Sequence, residues 1–256
     1  MNIPANIPAN IPDQEWHVRC ELAALYRMIA HFRMTDLIDT HISLRVPGPE
    51  HHFLINRYGV LFQHMRASDL VKIDHEGKVV DSAYKNHEVN EAGFVIHSAI
   101  HMAREDMNCV IHTHTAAGIA VSAQDHGLLP ISQHALKFYG KLAYHDYEGV
   151  ALCLDERQRL INDLGTHRAM ILRNHGLLAG GRNVAEAFHE IHFLERACQA
   201  QTQALAGGSK LRYPSAEVCK LTASQFTDDD EGMRIIQMAW TAALRLIEDQ
   251  REDYCS

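Results

Sequence analysis

The stretch Cys109-Val-Ile-His-Thr-His-Thr115 decides how the rest of the chain is read. Its apolar and β-branched residues predict a strand over residues 108–115. Successive side chains on a strand take opposite faces, so His112 and His114 share one face and Thr113 takes the other. Two neutral imidazoles so placed can chelate one divalent ion, with the nitrogen bonds of about 2.0–2.1 Å that suit zinc. A pair of hydrogen-bonded core or rim histidines has the same spacing, so the pattern alone does not decide. His175 shifts the balance. It follows the apolar run Ala169–Leu172 and precedes Gly176, at a sharp strand-end turn where a side chain can face a cleft. Three protein ligands leave a fourth position open, as in catalytic rather than structural zinc sites.

On both sides of this strand, helical and extended patterns alternate. Val18, Leu22, Leu25 and Ile29 recur at helical spacing and predict a helix from Asp13 to about Met34. Short runs at 41–46, 53–56, 70–73 and 169–172 read as strands, with Pro47-Gly48-Pro49 and Glu76-Gly77 as turns. Helices are expected over 91–104 and 115–123, from the capping pair Asp155 and Gln158 to Leu164, and from Asn183 with Glu186 to about Ala206. The remainder reads as helical, closing on Trp240, Ala243, Leu244 and Ile247. Several strands follow one another without the helix that a parallel crossover needs, which predicts a mixed, largely antiparallel sheet covered by helices. One domain over residues 13–256 is expected, including C-terminal helices from about 215. The Asn-Ile-Pro repeats of residues 1–12 place a proline at every fourth position and predict a disordered arm.

Composition narrows the function classes. The formal net charge of −8, without a basic cluster, argues against nucleic acid and against an acidic membrane surface. No apolar run approaches the ~18 residues of a membrane span, and no signal-peptide pattern opens the chain, so a cytoplasmic location is expected. The six cysteines form no C-x-x-C pair and are expected to be reduced and buried. Nineteen histidines are unusual, but His51, His52 and His64 fall in turn-like or polar stretches, so abundance alone marks no site. His97 and His101 share a helix face without a third ligand, which favours packing between helix and sheet. His189 and His192 read as rim or interface residues in the same way. Gly207-Gly-Ser-Lys210 lacks phosphate-loop spacing, and the acids at 228–231 fit a helix start.

Residues from about 15 to 206 resemble the class II aldolase/adducin family, particularly its adducin-head branch and bacterial relatives of that type. The segments that carry the resemblance are His41-Ile-Ser-Leu-Arg45, Phe53-Leu-Ile-Asn-Arg-Tyr-Gly59, Ala67-Ser-Asp-Leu70, Ala92-Gly-Phe-Val-Ile-His97, the strand at 109–115, Ala143-Tyr-His-Asp-Tyr147 and Leu172-Arg-Asn-His-Gly-Leu177. The resemblance implies a three-layer α/β/α domain around a mainly antiparallel sheet, and a homotetramer with sites near subunit interfaces. It implies that His112, His114 and His175 hold zinc or a related ion. That ion would polarise hydroxyl and carbonyl oxygens of a small molecule and stabilise an enediolate during aldol cleavage, epimerisation or decarboxylation.

The pattern also departs from the family's sugar-phosphate aldolases. These carry an acidic residue four places before the histidine matching His97, where this chain has Gly93. Glu91 is the candidate replacement, with Glu88 further upstream; a helix-start carboxylate is the competing reading of either. In the phosphate-holding loops His41 stands in an asparagine place and Tyr58 in a small hydroxyl place, while Gly59 is kept. His41 and Gly59 are therefore expected to touch substrate, and a phosphorylated sugar is disfavoured. Arg45 or Arg173 could anchor an acid, or each could be a structural salt-bridge partner. The expected function is a metal-dependent lyase acting on a small hydroxy- or keto-acid or sugar derivative. The alternative is a non-catalytic assembly or binding module like the adducin head.

Overall fold

Strand alternation divides the buried residues between two faces of one sheet, and this division builds the three layers. The computed structural model describes residues 11–81, 88–149 and 156–256, with only the backbone of Glu91 and Ala92. Most of the expected arm and Asp155 of the expected capping pair lie outside these residues. The strands are β1 (His41–Arg45), β2 (Phe53–Asn56), β3 (Leu70–Ile73), β4 (Cys109–Thr113), β5 (Leu142–His145), β6 (Ala169–Leu172) and β7 (Gly176–Gly181). They form one seven-stranded sheet in the order β3-β2-β1-β4-β7-β6-β5. Every pairing is antiparallel except β5 with β6. That parallel pair is joined across helix α5 (Glu156–Leu164), as a parallel connection requires.

The first face carries Ile42, Leu44, Leu54, Cys109, Ile111, Ile171, Leu177 and Ala179. It packs on α1 (Asp13–His31), on the long α6 (Val184–Ala206) and on α8 (Asp230–Leu244), which contributes Ile236 and Trp240. The opposite face carries Val110, Met170, Leu172 and Leu178 against Ile96 and Ile100 of α2 (Glu91–Ala103) and Leu160 and Leu164 of α5. Shorter helices α3 (Ala116–Ser122), α4 (Gln133–Lys137), α7 (Ala216–Gln225) and α9 (Arg251–Tyr254) complete the described chain. The side chains of Thr115, Asn183 and Asp229 accept backbone N–H groups at the starts of α3, α6 and α8. No described helix is long and apolar enough to cross a membrane.

Buried polar groups fix how α1 meets the sheet. The fully buried Tyr26 hydroxyl accepts the backbone N–H groups of Ile42 and Asn56 at 2.9 and 3.0 Å, tying β1 and β2 to the helix. Arg27 donates to the Met65 carbonyl and pairs with Asp253, which docks the C-terminal helices against α1.

The strand expected over 108–115 is shorter: its ladder ends at Thr113, because there β7 turns back into the hairpin with β6. Strands β5 and β7 and helix α4 were not expected. Three of the six residues of β7 are glycines, which reads locally as loop. Its geometry explains the first of them. A Cβ on Gly176 would lie 2.4 Å from the Thr113 carbonyl oxygen, so β7 reaches β4 only because that atom is absent.

Gly176→Ala therefore forces backbone apart beside His114 and is expected to cost about 1–3 kcal/mol, read as a lower urea midpoint at unchanged slope. Gly207→Ala, where an added Cβ meets only Ser209 Oγ at an ordinary 3.9 Å and φ is ordinary, is expected to stay within about 0.5 kcal/mol of wild type.

Candidate metal centre

Two strand ends and one hairpin bring the histidines together. His112 is fully buried in β4 and points to the α2 side of the sheet, as Val110 does. His114 lies just past the strand end and keeps the same alternation. His175 closes the three-residue turn between β6 and β7, where its N–H donates to the Leu172 carbonyl at 3.1 Å. Asn174 holds φ of +55°, a left-handed conformation that asparagine tolerates better than most residues. Arg173 pins the same turn by donating to the Gln124 carbonyl at 2.7 Å while lying over the Tyr144 ring.

The three Nε2 atoms converge at 2.7 Å (His112 to His114), 2.9 Å (His114 to His175) and 3.3 Å (His112 to His175). The Nδ1 atoms of two of them are engaged elsewhere. His112 Nδ1–H donates to the Leu177 carbonyl at 2.9 Å, and His114 Nδ1 faces Asp36 Oδ2 at 3.3 Å. Burial, followed by the neighbouring histidines, holds His112 well below the usual imidazole range. Burial likewise pushes His175 down to about 4, with His114 and His145 adding to it. With the Nδ1 atoms of His112 and His114 engaged outward, their Nε2 atoms are left to converge with that of His175. Nitrogens around a tetrahedral ion with bonds of about 2.0–2.1 Å stand ~3.3 Å apart, the spacing of the His112–His175 pair, while the other two pairs are tighter. This is the only cluster of its kind among the described residues.

The wall beside the trio is also imidazole. Antiparallel register sets His41 of β1 directly opposite His112, and their rings lie 5.0 Å apart between centroids. From His41 a buried hydrogen-bonded chain runs beneath α2. His41 Nδ1 meets His97 Nε2 at 2.8 Å, His97 Nδ1 meets Ser43 Oγ at 2.5 Å, and Ser43 Oγ meets His101 Nε2 at 2.6 Å. Burial lowers all three of these histidines, His101 to about 3. Gly93 accommodates this arrangement: a Cβ there would stand 2.5 Å from the His41 ring.

The other expected residues fall as follows. Glu91 opens α2, but its side chain lies outside the described structure. Gly59, with φ of +87°, sits in an exposed turn after β2; Tyr58 N–H donates to the Glu88 carbonyl, which draws that turn toward the start of α2. Arg45 is committed to Asn108 and the His101 carbonyl. His51 and His64 are exposed, and five free cysteines are buried. Sequence reading missed Asp36, Tyr147 (its ring 6.2 Å from that of His175) and a group formed by His145, Glu156 and Asp163. Only His145 and Tyr147 lie in a segment that the family pattern marks. Asp36 sits in a loop without periodicity.

The fold and this constellation define a class II aldolase-type domain. The model of the class II aldolase and adducin N-terminal domain matches residues 20–202, and the chain belongs to that family. It is 50% identical to an aldolase II superfamily protein of Pseudomonas syringae, whose crystal structure superposes with a TM-score of 0.90 over 96% of this chain and 98% of that one. It is 27% identical to the L-fuculose 1-phosphate aldolase of Glaciozyma antarctica, with a TM-score of 0.82 over 98% and 96% of the two chains. Rat alpha-adducin is 47% identical over 190 residues, covering 74% of this chain and 26% of that protein.

Away from the trio, the buried histidines predict an acid-labile fold. Burial pushes His101 and His189 down to about 3. The unfolded chain takes up protons there from about pH 6.5 downward while the folded chain does not, so stability falls as pH drops from about 6.5 toward about 3. The loss is at most about 1.4 kcal/mol per pH unit for each histidine. Urea midpoints of metal-free protein should be clearly lower at about pH 5 than at about pH 7.5, with a smaller difference in His189→Gln.

Proposed function

We propose that this protein is a divalent-metal-dependent lyase that cleaves or decarboxylates a small hydroxy- or keto-acid or sugar derivative. In this reading zinc is held by Nε2 of His112, His114 and His175. The observation that carries it is the convergence of three Nε2 atoms within 3.3 Å while the Nδ1 groups of His112 and His114 are engaged elsewhere. When bound, the ion supplies a Lewis acid with an open coordination position.

The chain's own residues orient the centre. The Leu177 carbonyl fixes the ring of His112, and Asp36 does the same for His114, the usual way a neighbouring acceptor sets the ligating nitrogen. His41 and its hydrogen-bonded partners close one wall and leave no space for a side chain at Gly93. A phosphorylated sugar remains disfavoured, because the wall at His41 is a neutral imidazole held in a buried network. Arg173 is tied to the Gln124 carbonyl and serves as a pin for the His175 turn. A homotetramer follows from family membership as part of this proposal.

A non-catalytic module is the second reading, favoured by the identity to alpha-adducin. Metal content and turnover separate the two. Purified wild-type protein is expected to carry close to one zinc per chain, and His112→Ala to lose it. Asp36→Asn is expected to weaken zinc binding about 10–100-fold in a chelator competition. A screen of hydroxy- and keto-acids and sugars for cleavage or decarboxylation should find an activity that metal removal abolishes and zinc restores. Full zinc occupancy with uniform inactivity would instead support the binding module.

A further inference from the structure

Beside His175 lies a cavity of about 10 Å³, roughly the size of one water molecule. Its lining includes His145, Tyr147, Glu156, Arg173 and His175. His145 ends β5 and is 4% exposed. Its Nδ1 lies 2.7 Å from Asp163 Oδ2, and its Nε2 lies 3.4 Å from Glu156 Oε1. Both carboxylates come from one face of α5, two turns apart. Glu156 is buried at the cavity, whereas the Asp163 side chain is 45% exposed. The three groups thus form a line from the cavity to solvent.

A simple clamp between β5 and α5 needs only one of these carboxylates. Asp163 already fixes the ring by accepting the Nδ1 proton. Glu156 places a second carboxylate oxygen 3.4 Å from Nε2, so both ring nitrogens face a carboxylate. Of the other charged residues lining the cavity, Glu148 pairs with Arg159, Arg173 donates to the Gln124 carbonyl, and Asp146 is exposed. The arrangement therefore links a buried carboxylate at the cavity to an exposed one through a single imidazole, at the wall of the proposed metal centre.

We propose that His145, held between Glu156 and Asp163, is the proton-carrying residue of this site. It takes the proton that a chelating hydroxyl gives up and exchanges it with solvent through Asp163. The ligand's O–H bond breaks with its electron pair left on oxygen, and the proton bonds to Nε2 to give an imidazolium flanked by two carboxylates. In aldol cleavage the oxygen's pair then forms the new carbonyl, the carbon–carbon pair leaves with the other fragment, and the stored proton is available to that fragment. This inference rests on the metal-lyase reading and assigns its proton acceptor.

The test counts protons. Glycolohydroxamic acid, a small chelator that loses a proton on binding a metal, is titrated calorimetrically into the zinc-loaded full-length protein near pH 7. Buffers of different ionisation enthalpy then report how many protons reach the buffer. Wild type is expected to retain the ligand's proton, whereas His145→Gln and Glu156→Gln release up to one more per site with zinc content unchanged. Equal release from wild type and both variants would overturn the proposal alone. If His145→Gln does not fold, Glu156→Gln decides. Failure of zinc-loaded wild type to bind the hydroxamate would overturn the lyase reading, and this inference with it.

Discussion

The register of β4 between β1 and β7 is the constraint on which the rest of the site depends. His112 faces His41 on one side and Leu178 on the other, so one pairing pattern sets both the proposed ligand and its wall. A one-residue slip would turn His112 into the apolar layer shared with α1 and α6 and bring Ile111 to the site. Two features hold the register. Gly176 lets β7 approach the end of β4, and the hydrogen-bonded chain through His41, His97, Ser43 and His101 ties β1 to α2. Buried polar groups with shared partners tolerate few alternatives, so the cost of placing them also fixes the geometry.

Much of this was legible in the sequence where local pattern and tertiary role agree. The helical spacing of Val18, Leu22, Leu25 and Ile29 gave α1, and the short β-branched runs gave β1 to β4 and β6. Asn183 caps α6 as its position suggested, accepting the Glu186 N–H, but the Glu186 carboxylate turns to Arg182 and Arg168 rather than back to the cap. Pattern failed where glycine serves packing. The sequence Gly-Leu-Leu-Ala-Gly-Gly resembles a loop, yet as β7 it makes the pairing on which His175 depends. The strand parity of His112 and His114 was readable because two residues suffice to express it. Asp36 approaches His114 from a distant segment, and although Glu156 and Asp163 share a face of α5, nothing local signals that this face meets His145.

The contrast between aldolase and adducin relatives turns on what a buried imidazole set costs. His112 is fully buried and its neighbour His41 nearly so, and both are held neutral by desolvation. Apolar residues of similar volume would fill this end of the sheet without unpaired acceptors, so a domain kept only for assembly gains nothing from three converging lone pairs. The donor set also bears on ligand charge. Imidazole ligands would leave the charge of a divalent ion uncompensated, and among the described residues the one carboxylate in contact with a proposed ligand, Asp36, is about half exposed. An anionic chelator such as a hydroxy- or keto-acid supplies the missing charge from the substrate side. His41, neutral and locked against Gly93, adds none of its own. Under the proposed lyase reading, the wall that leaves no space for a side chain at Gly93 would leave an anionic ligand to balance a bound divalent ion, the charge pattern of a site for small acids.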